Sequence, residues 1–506
     1  MSSGVRRTAR EERGDLALQR RKVEAVGAHS ARGVAWTLGG QWGLQAVRMV
    51  SIVVLARLLT PDDYGLMAMA WVITGFVSTV GSLGLSEAVV QRAKVTHAQA
   101  STLFWLNIAL GAVLMLLVAA SAPLLAMFYG RQELVAVTIV LSTTFLLGAL
   151  TVQHQAVLLR RLQFRTLALR NFAGGVTEIA VSIVAALMGA GYWSLVYGQL
   201  AGVVLNVVVL WSAVDWRPGL PRRRSGVRSF VSFGGGISTF RVLDYASRNA
   251  DNLLIGRFLG GEALGLYTRG YGLLMAPLAQ IHGPVANVVR PTMAALWPEP
   301  ERYRRYYLSA LSGLCFVVAP VVVLLAVLAD PVVLVLLGPD WSQSADVFRW
   351  LSVAGLLQVV GFTNGWLYAT SGRSWAMARW ALVSRPVLIL SFVAGLPWGI
   401  TGVAMAYALS QLVLTPLGIA RAGRGTPVSL RDVLGVAWRP GVVAAGAGLT
   451  AAGSWWLVSG SAPFVQLLAG GLPGALVAVL LVLVWPSARR EITTLVRSVR
   501  KKPAAV

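Results

Sequence analysis

Apolar runs of about twenty residues, parted by short polar connections, follow one another from residue 35 to residue 485. A helix needs roughly 20 apolar residues to cross a bilayer. The runs divide into spans at 35–56, 66–89, 101–128, 133–157, 171–189, 192–213, 229–256, 265–290, 307–329, 344–369, 375–396, 398–420, 434–457 and 464–485. The pattern predicts an all-α membrane protein of fourteen transmembrane helices, with no room for a soluble domain between them. Residues 1–34 are polar and basic. No apolar core and no small-residue cleavage site follow their arginines, so they read as a cytosolic tail and not as a signal peptide.

Charge changes this picture only through its position. The chain has 44 Lys and Arg against 20 Asp and Glu, a formal net charge of +24. In a soluble protein that surplus would suggest a nucleic-acid partner. Here the alternation of spans puts 32 basic residues on one side, three on the other and nine within spans. Lys and Arg collect on the cytosolic side of membrane proteins. Both termini are therefore expected in the cytosol of a plasma-membrane protein, with membrane lipids as neighbours and no nucleic acid. Composition agrees: 56% of residues are hydrophobic and 13% charged, and the mean hydropathy is +0.68. One cysteine, Cys315, excludes an internal disulfide, and four scattered histidines give no zinc spacing. No metal or cofactor is expected.

The first connection, "RLLTPDDYGL" (57–66), carries adjacent carboxylates that invite a catalytic reading. Two hundred residues downstream stands "RFLGGEALGL" (257–266), in which Arg, Leu, Gly and Leu recur in place and Glu262 falls opposite Asp62. Arg48 and Arg248 precede the two copies at equal distance. The chain is expected to repeat, with an N-lobe over 35–213, a basic linker over 214–228 and a C-lobe over 229–420. Two further helices over 434–485 and a basic tail over 486–506 follow. The acidic pair then reads as a helix start: Thr60 as N-cap, Pro61 at the first helical position, Asp62 and Asp63 in the first turn.

Four segments resemble a known family. "VVLARLLTPDDYGLMAMA" (53–70), "QAVLLRRLQFRTLALRN" (155–171), "SRNADNLLIGRFLGGEALGLYTRGYGLLMAPL" (247–278) and "YATSGRSWAMARW" (368–380) are similar to segments of Wzx-like polysaccharide exporters of the colanic-acid and teichuronic-acid type. These belong to the multidrug/oligosaccharidyl-lipid/polysaccharide flippase superfamily. The resemblance implies two pseudo-symmetric six-helix lobes around a central cavity, plus two C-terminal helices. It implies alternating-access transport of undecaprenyl-pyrophosphate-linked oligosaccharide units. It also implies a pathway shared with a polysaccharide polymerase and glycosyltransferases. A monomer is expected.

A charge at bilayer depth is costly and normally faces a cavity or a partner. Arg48 and Arg248 lie nine residues before the outer connections, roughly 13 Å deep at the helical rise. Arg241, Asp244, Arg248 and Asp251 form one stripe of the expected seventh helix, and Asn249 and Asn252 extend its polar surface. The stripe reads either as ion pairs that neutralise one another or as a cationic wall that meets a pyrophosphate. Arg385 precedes Pro386, which is expected to break the eleventh helix beside the cavity. Arg48, Arg241, Arg248, Arg385, Asn249 and Asn252 are the candidate substrate-binding residues. Asp244, Asp251 and Glu178 are the candidate coupling-ion residues. No residue is assigned a catalytic role, because an enzyme of this kind usually needs a sizeable outer domain. Arg290 and Arg439 read as snorkelling charges. Trp193, Trp341, Trp398, Trp455 and Trp456 read as interface markers. A multidrug exporter of the same superfamily and a lipid II flippase are the alternative functions.

Overall fold

Backbone amides in hydrocarbon must be satisfied from within, which leaves helices as the form an apolar run of this length can take. A computed structural model describes residues 39–81, 96–221 and 245–486, with Ala488, Arg489, Glu491 and Thr493 beyond them. Among the described residues every regular element is helical. A first helix α1 covers 39–58. Then follow α2 (Pro61–Gly81), α3 (His97–Tyr129), α4 (Glu133–Arg160), α5 (Phe164–Leu187), α6 (Trp193–Ala213), α7 (Ala250–Phe258), α8 (Gly260–Ala295), α9 (Pro300–Val327) and the short α10 (Ala329–Leu336). The series closes with α11 (Ser344–Thr370), α12 (Ser374–Gly395), α13 (Gly399–Gly423), α14 (Leu430–Leu457) and α15 (Pro463–Val484).

Nine described stretches are long and apolar enough to cross a membrane, or ten if the bent pair Gly260–Met275 and Gln280–Ala295 is one span. The fourteen expected spans are not all accounted for. Ser374–Gly423 holds two of them in one apolar stretch. The expected first, second and seventh spans extend beyond the described residues.

Helix starts follow local chemistry. Thr60 and Asp63 form a reciprocal cap at the start of α2. Asp63 Oδ2 accepts from the Thr60 backbone N–H at 2.9 Å and from its hydroxyl at 2.8 Å, and the Asp63 N–H donates to Thr60 Oγ1 at 3.2 Å. Asp63 of the acidic pair thus caps the helix, and Asp62 stands beside it in the first turn. Thr96 with Gln99 and Ser429 with Asp432 do the same for α3 and α14.

The chain divides into two compact units: one of residues up to Leu58 plus Ala70–Tyr245, the other of Leu59–Met69 plus the chain from Ala246. In the first unit α3 pairs with α4 and α5 with α6. Small residues set the α5–α6 distance. A Cβ on Gly198 would overlap the Ser182 hydroxyl, and one on Gly202 would lie 3.0 Å from the Gly174 carbonyl and 3.1 Å from the Glu178 Cβ. Glycines four apart let helix backbones approach closely in membranes. Gly40 and Gly43 of α1 meet Ala168 and Phe172 of α5 in the same way.

In the second unit α9 packs on α14, α14 on α15, α11 on α8 and α13, and α12 on α13. Its largest fully buried side chains include Trp341, Trp366, Tyr267, Tyr303 and Tyr307. Trp341, expected at an interface, is fully buried against Tyr64 with ring centroids 5.4 Å apart; Trp398 and Trp456 are exposed as expected. The first turns of α2 and α8 cross here. A Cβ on Gly65 would overlap the Gly261 carbonyl, and one on Gly265 would overlap the Pro61 carbonyl. Residue 65 meets 261 while 265 meets 61, the reciprocal contact that two-fold-related elements make.

Two expectations about the helices are corrected. The seventh helix is not one continuous stripe: the chain bends at Asn249, and α7 begins at Ala250. Pro386 does not break its helix, since α12 runs unbroken from Ser374 to Gly395. A proline removes one intrahelical hydrogen bond, and the turns on either side carry the helix through.

Candidate substrate site

In the first unit the close α5–α6 approach fixes Glu178 beside α6. Arg48 on α1 comes near enough for its charge to act on that carboxylate. Both side chains are exposed, so the pair is bare of protein on one side. Two turns into α5, Arg170 is half-buried and held by neutral oxygens. Its Nε donates to Asn206 Oδ1 at 3.0 Å and its Nη1 to Gln155 Oε1 at 3.1 Å. Arg170 takes part in no ion pair among the described residues.

In the second unit Asp251 is buried on α7. It accepts a hydrogen bond from the Tyr267 hydroxyl at 3.0 Å and one from the Asn252 backbone N–H at 2.8 Å. Tyr267 stacks on Tyr271 with centroids 6.4 Å apart. The exposed Arg248 side chain acts electrostatically on Tyr271 and Tyr407, and Gln358 donates to the Tyr407 hydroxyl. Arg248 and Asp251 thus belong to one cluster, tied together through tyrosines of α8 and α13. Asn249 marks the bend, and Asn252 contributes its backbone to Asp251. Arg385 is partly exposed on α12, a helix that packs against α7. Arg241 and Asp244 lie outside the described residues.

Arg269 is the residue that sequence reasoning missed. The expected eighth span begins at residue 265, which leaves Arg269 at its rim. The helix begins at Gly260, which sets Arg269 nine residues deep, roughly 14 Å along the axis. Its guanidinium lies 3.6 Å from the centroid of the Tyr64 ring, a cation–π contact. It forms no ion pair among the described residues. The signal was present in "YTRGYG" (267–272), a tyrosine–arginine–tyrosine run inside an expected span. Among the described residues no three His, Cys, Asp or Glu side chains converge to hold a metal ion.

Residues 54–346 match the family described as polysaccharide biosynthesis protein. The chain belongs to that family. This family member is similar to the teichuronic acid biosynthesis protein TuaB of Bacillus subtilis, 28% identical over 75% of this chain and 80% of that protein. It is similar to the lipopolysaccharide biosynthesis protein WzxC of Escherichia coli, 23% identical over 80% of this chain and 82% of that one. The succinoglycan biosynthesis transport protein ExoT of Rhizobium meliloti is 23% identical over 70% of this chain and 71% of that one.

Two solved structures share its fold. The lipid II flippase MurJ in an inward closed conformation superposes with a TM-score of 0.69 at 13% identity, covering 89% of this chain and 99% of that one. An inward-facing multidrug resistance transporter of the MATE family gives 0.60 at 16% identity, covering 79% and 94%. Identities this low speak to fold alone. The family member is a multi-pass, all-helical membrane protein with the MurJ and MATE fold.

Proposed function

We propose that this protein carries undecaprenyl-pyrophosphate-linked oligosaccharide units across the plasma membrane by alternating access, for assembly of a surface polysaccharide. It is read as a transporter and not an enzyme, with both termini in the cytosol. The observation that carries the reading is Arg269, a guanidinium deep in α8 that faces a tyrosine ring and, among the described residues, takes no carboxylate as ion-pair partner. A cation placed there without an acid suits a ligand that brings its own negative charge. Guanidinium presents a planar fork of donors that matches phosphate oxygens, and a pyrophosphate head supplies several of them. Arg48, Arg248 and Arg385, with Arg241, are proposed to share this work. Loose, shared contacts permit release on the far side. Asp251 and Glu178, with Asp244, are the proposed coupling acids. Asn249 and Asn252 widen the polar surface.

The test is a mutant cycle in a strain that depends on this protein for polysaccharide export. Arg248→Ala should abolish export with the protein still inserted at normal levels, because Tyr267 and the backbone continue to hold Asp251. Arg248→Lys should retain part of the export, since the charge survives without the fork. If Arg248→Ala with Asp251→Ala restores full export, Arg248 was a structural partner of Asp251 and its phosphate role is refuted.

A further inference from the structure

The segment "YATSGRSWAMARW" joins α11 to α12 and carries a second basic centre, apart from the residues discussed above. Arg373 stands in this connection. Its Nη1 is buried and, among the described residues, takes no hydrogen-bond partner. A buried guanidinium N–H left unmade costs about 1–3 kcal/mol or more, so its persistence needs an explanation. The side chain lies against the α13–α14 turn, where Gly425 has a φ of 77°. A Cβ on Gly425 would sit 3.3 Å from Arg373 Nη1, so the glycine lets the turn approach the guanidinium closely. Arg421, in the last turn of α13, holds its guanidinium 5.2 Å from the Trp380 ring centroid. The Tyr368 hydroxyl lies in the field of both arginines. Neither arginine forms an ion pair among the described residues. Asp432, the acid at the start of the next helix, is taken by Arg304 and by its own cap.

The centre also sits at a recognisable level. Trp375, in the first turn of α12, is 83% exposed. An exposed tryptophan at the end of an apolar helix marks the bilayer interface, where lipid phosphates lie. The basic-residue count puts this end of the helices on the cytosolic side, where the leaflet is rich in anionic lipid.

We propose that Arg373, Arg421 and Tyr368 form a binding site for a phosphate group, independent of the transport route and supplied by an anionic lipid headgroup of the cytosolic leaflet. Two guanidinium groups and a phenol offer charge-assisted donors in the number a phosphodiester can accept. Arg421 is exposed, so a headgroup reaches the site from the side. Arg373 supplies the buried donor at its floor.

The test uses the purified full chain and counts retained lipid by native mass spectrometry after exchange from phosphatidylcholine vesicles with and without phosphatidylglycerol. The parent should retain phosphatidylglycerol in preference to phosphatidylcholine. Arg373→Gln with Arg421→Gln should lose that preference, whereas the charge-matched pair Arg161→Gln with Arg165→Gln should keep it. Arg373→Lys should retain part of it and guards against a double variant that fails to fold. A parallel arm measures the thermal midpoint with inorganic phosphate. If phosphate raises the parent's midpoint but not the double variant's, and no lipid is preferred, the same site takes free phosphate. Equal loss in the two charge-matched pairs, or no response to either ligand, overturns the site.

Discussion

Gly65 and Gly265 occupy matching places in the two copies of the ten-residue repeat, and each is pressed against a carbonyl of the other copy. Alanine at either position forces the crossing apart. Overpacking in a tight core costs about 1–3 kcal/mol and occasionally more. Gly65→Ala and Gly265→Ala should each lower the thermal midpoint of the detergent-solubilised chain. Gly435, in the second turn of α14 with open space where a Cβ would go, should behave in the opposite way. Gly435→Ala is expected to gain about 0.5–1 kcal/mol from helix propensity, and a rise for Gly65→Ala as well would refute the crossing. These glycines were legible as repeated letters, because repeats preserve a contact that tolerates no side chain. Arg269 was not legible, because a span boundary displaced by five residues moves a buried charge to the rim. Nor was the tie between Asp251 and Tyr267, which lie on different helices and meet only through packing.

At the scale of elements, the α4–α5 and α11–α12 connections are built alike. Each is a three-residue turn with its middle residue in the left-handed region, Leu162 at φ 55° and Gly372 at φ 67°. Glycine adopts that conformation freely, and an L-residue there is strained by about 1–2 kcal/mol. Leu162 is 44% exposed, so trimming it removes little packing. Leu162→Gly should therefore stabilise the chain by about 1 kcal/mol, and Gly372→Leu should destabilise it by about the same amount. Thermal unfolding of both variants checks the pair; equal signs would show that the turns are not equivalent. Most helix positions were readable from apolar length alone, and the start of α2 from Thr60, Pro61 and Asp63. The bend at Asn249 and the unbroken helix through Pro386 were not readable. Both depend on how neighbouring side chains and turns accommodate the backbone, which a linear pattern does not record.

For the whole molecule, the class and the family followed from the sequence: apolar spacing gave a polytopic membrane protein, and four short segments pointed to the exporters that the family match then supported. Orientation rests on the basic-residue split. Reporter fusions at residue 222 and residue 340 should read cytosolic and external, respectively; an external signal at residue 222 would break the predicted alternation. The central claim is movement of a lipid-linked oligosaccharide dependent on the in-helix arginines. It is tested most directly by reconstituting the purified chain into vesicles with a fluorescent undecaprenyl-pyrophosphate oligosaccharide and following its passage between leaflets with a membrane-impermeant quencher. The parent should equilibrate the probe across the bilayer, Arg248→Ala and Arg269→Ala should not, and an undecaprenol-linked probe without phosphate should move poorly even with the parent. Passage at the parent's rate in both arginine variants, or equal passage of the phosphate-free probe, would contradict the account.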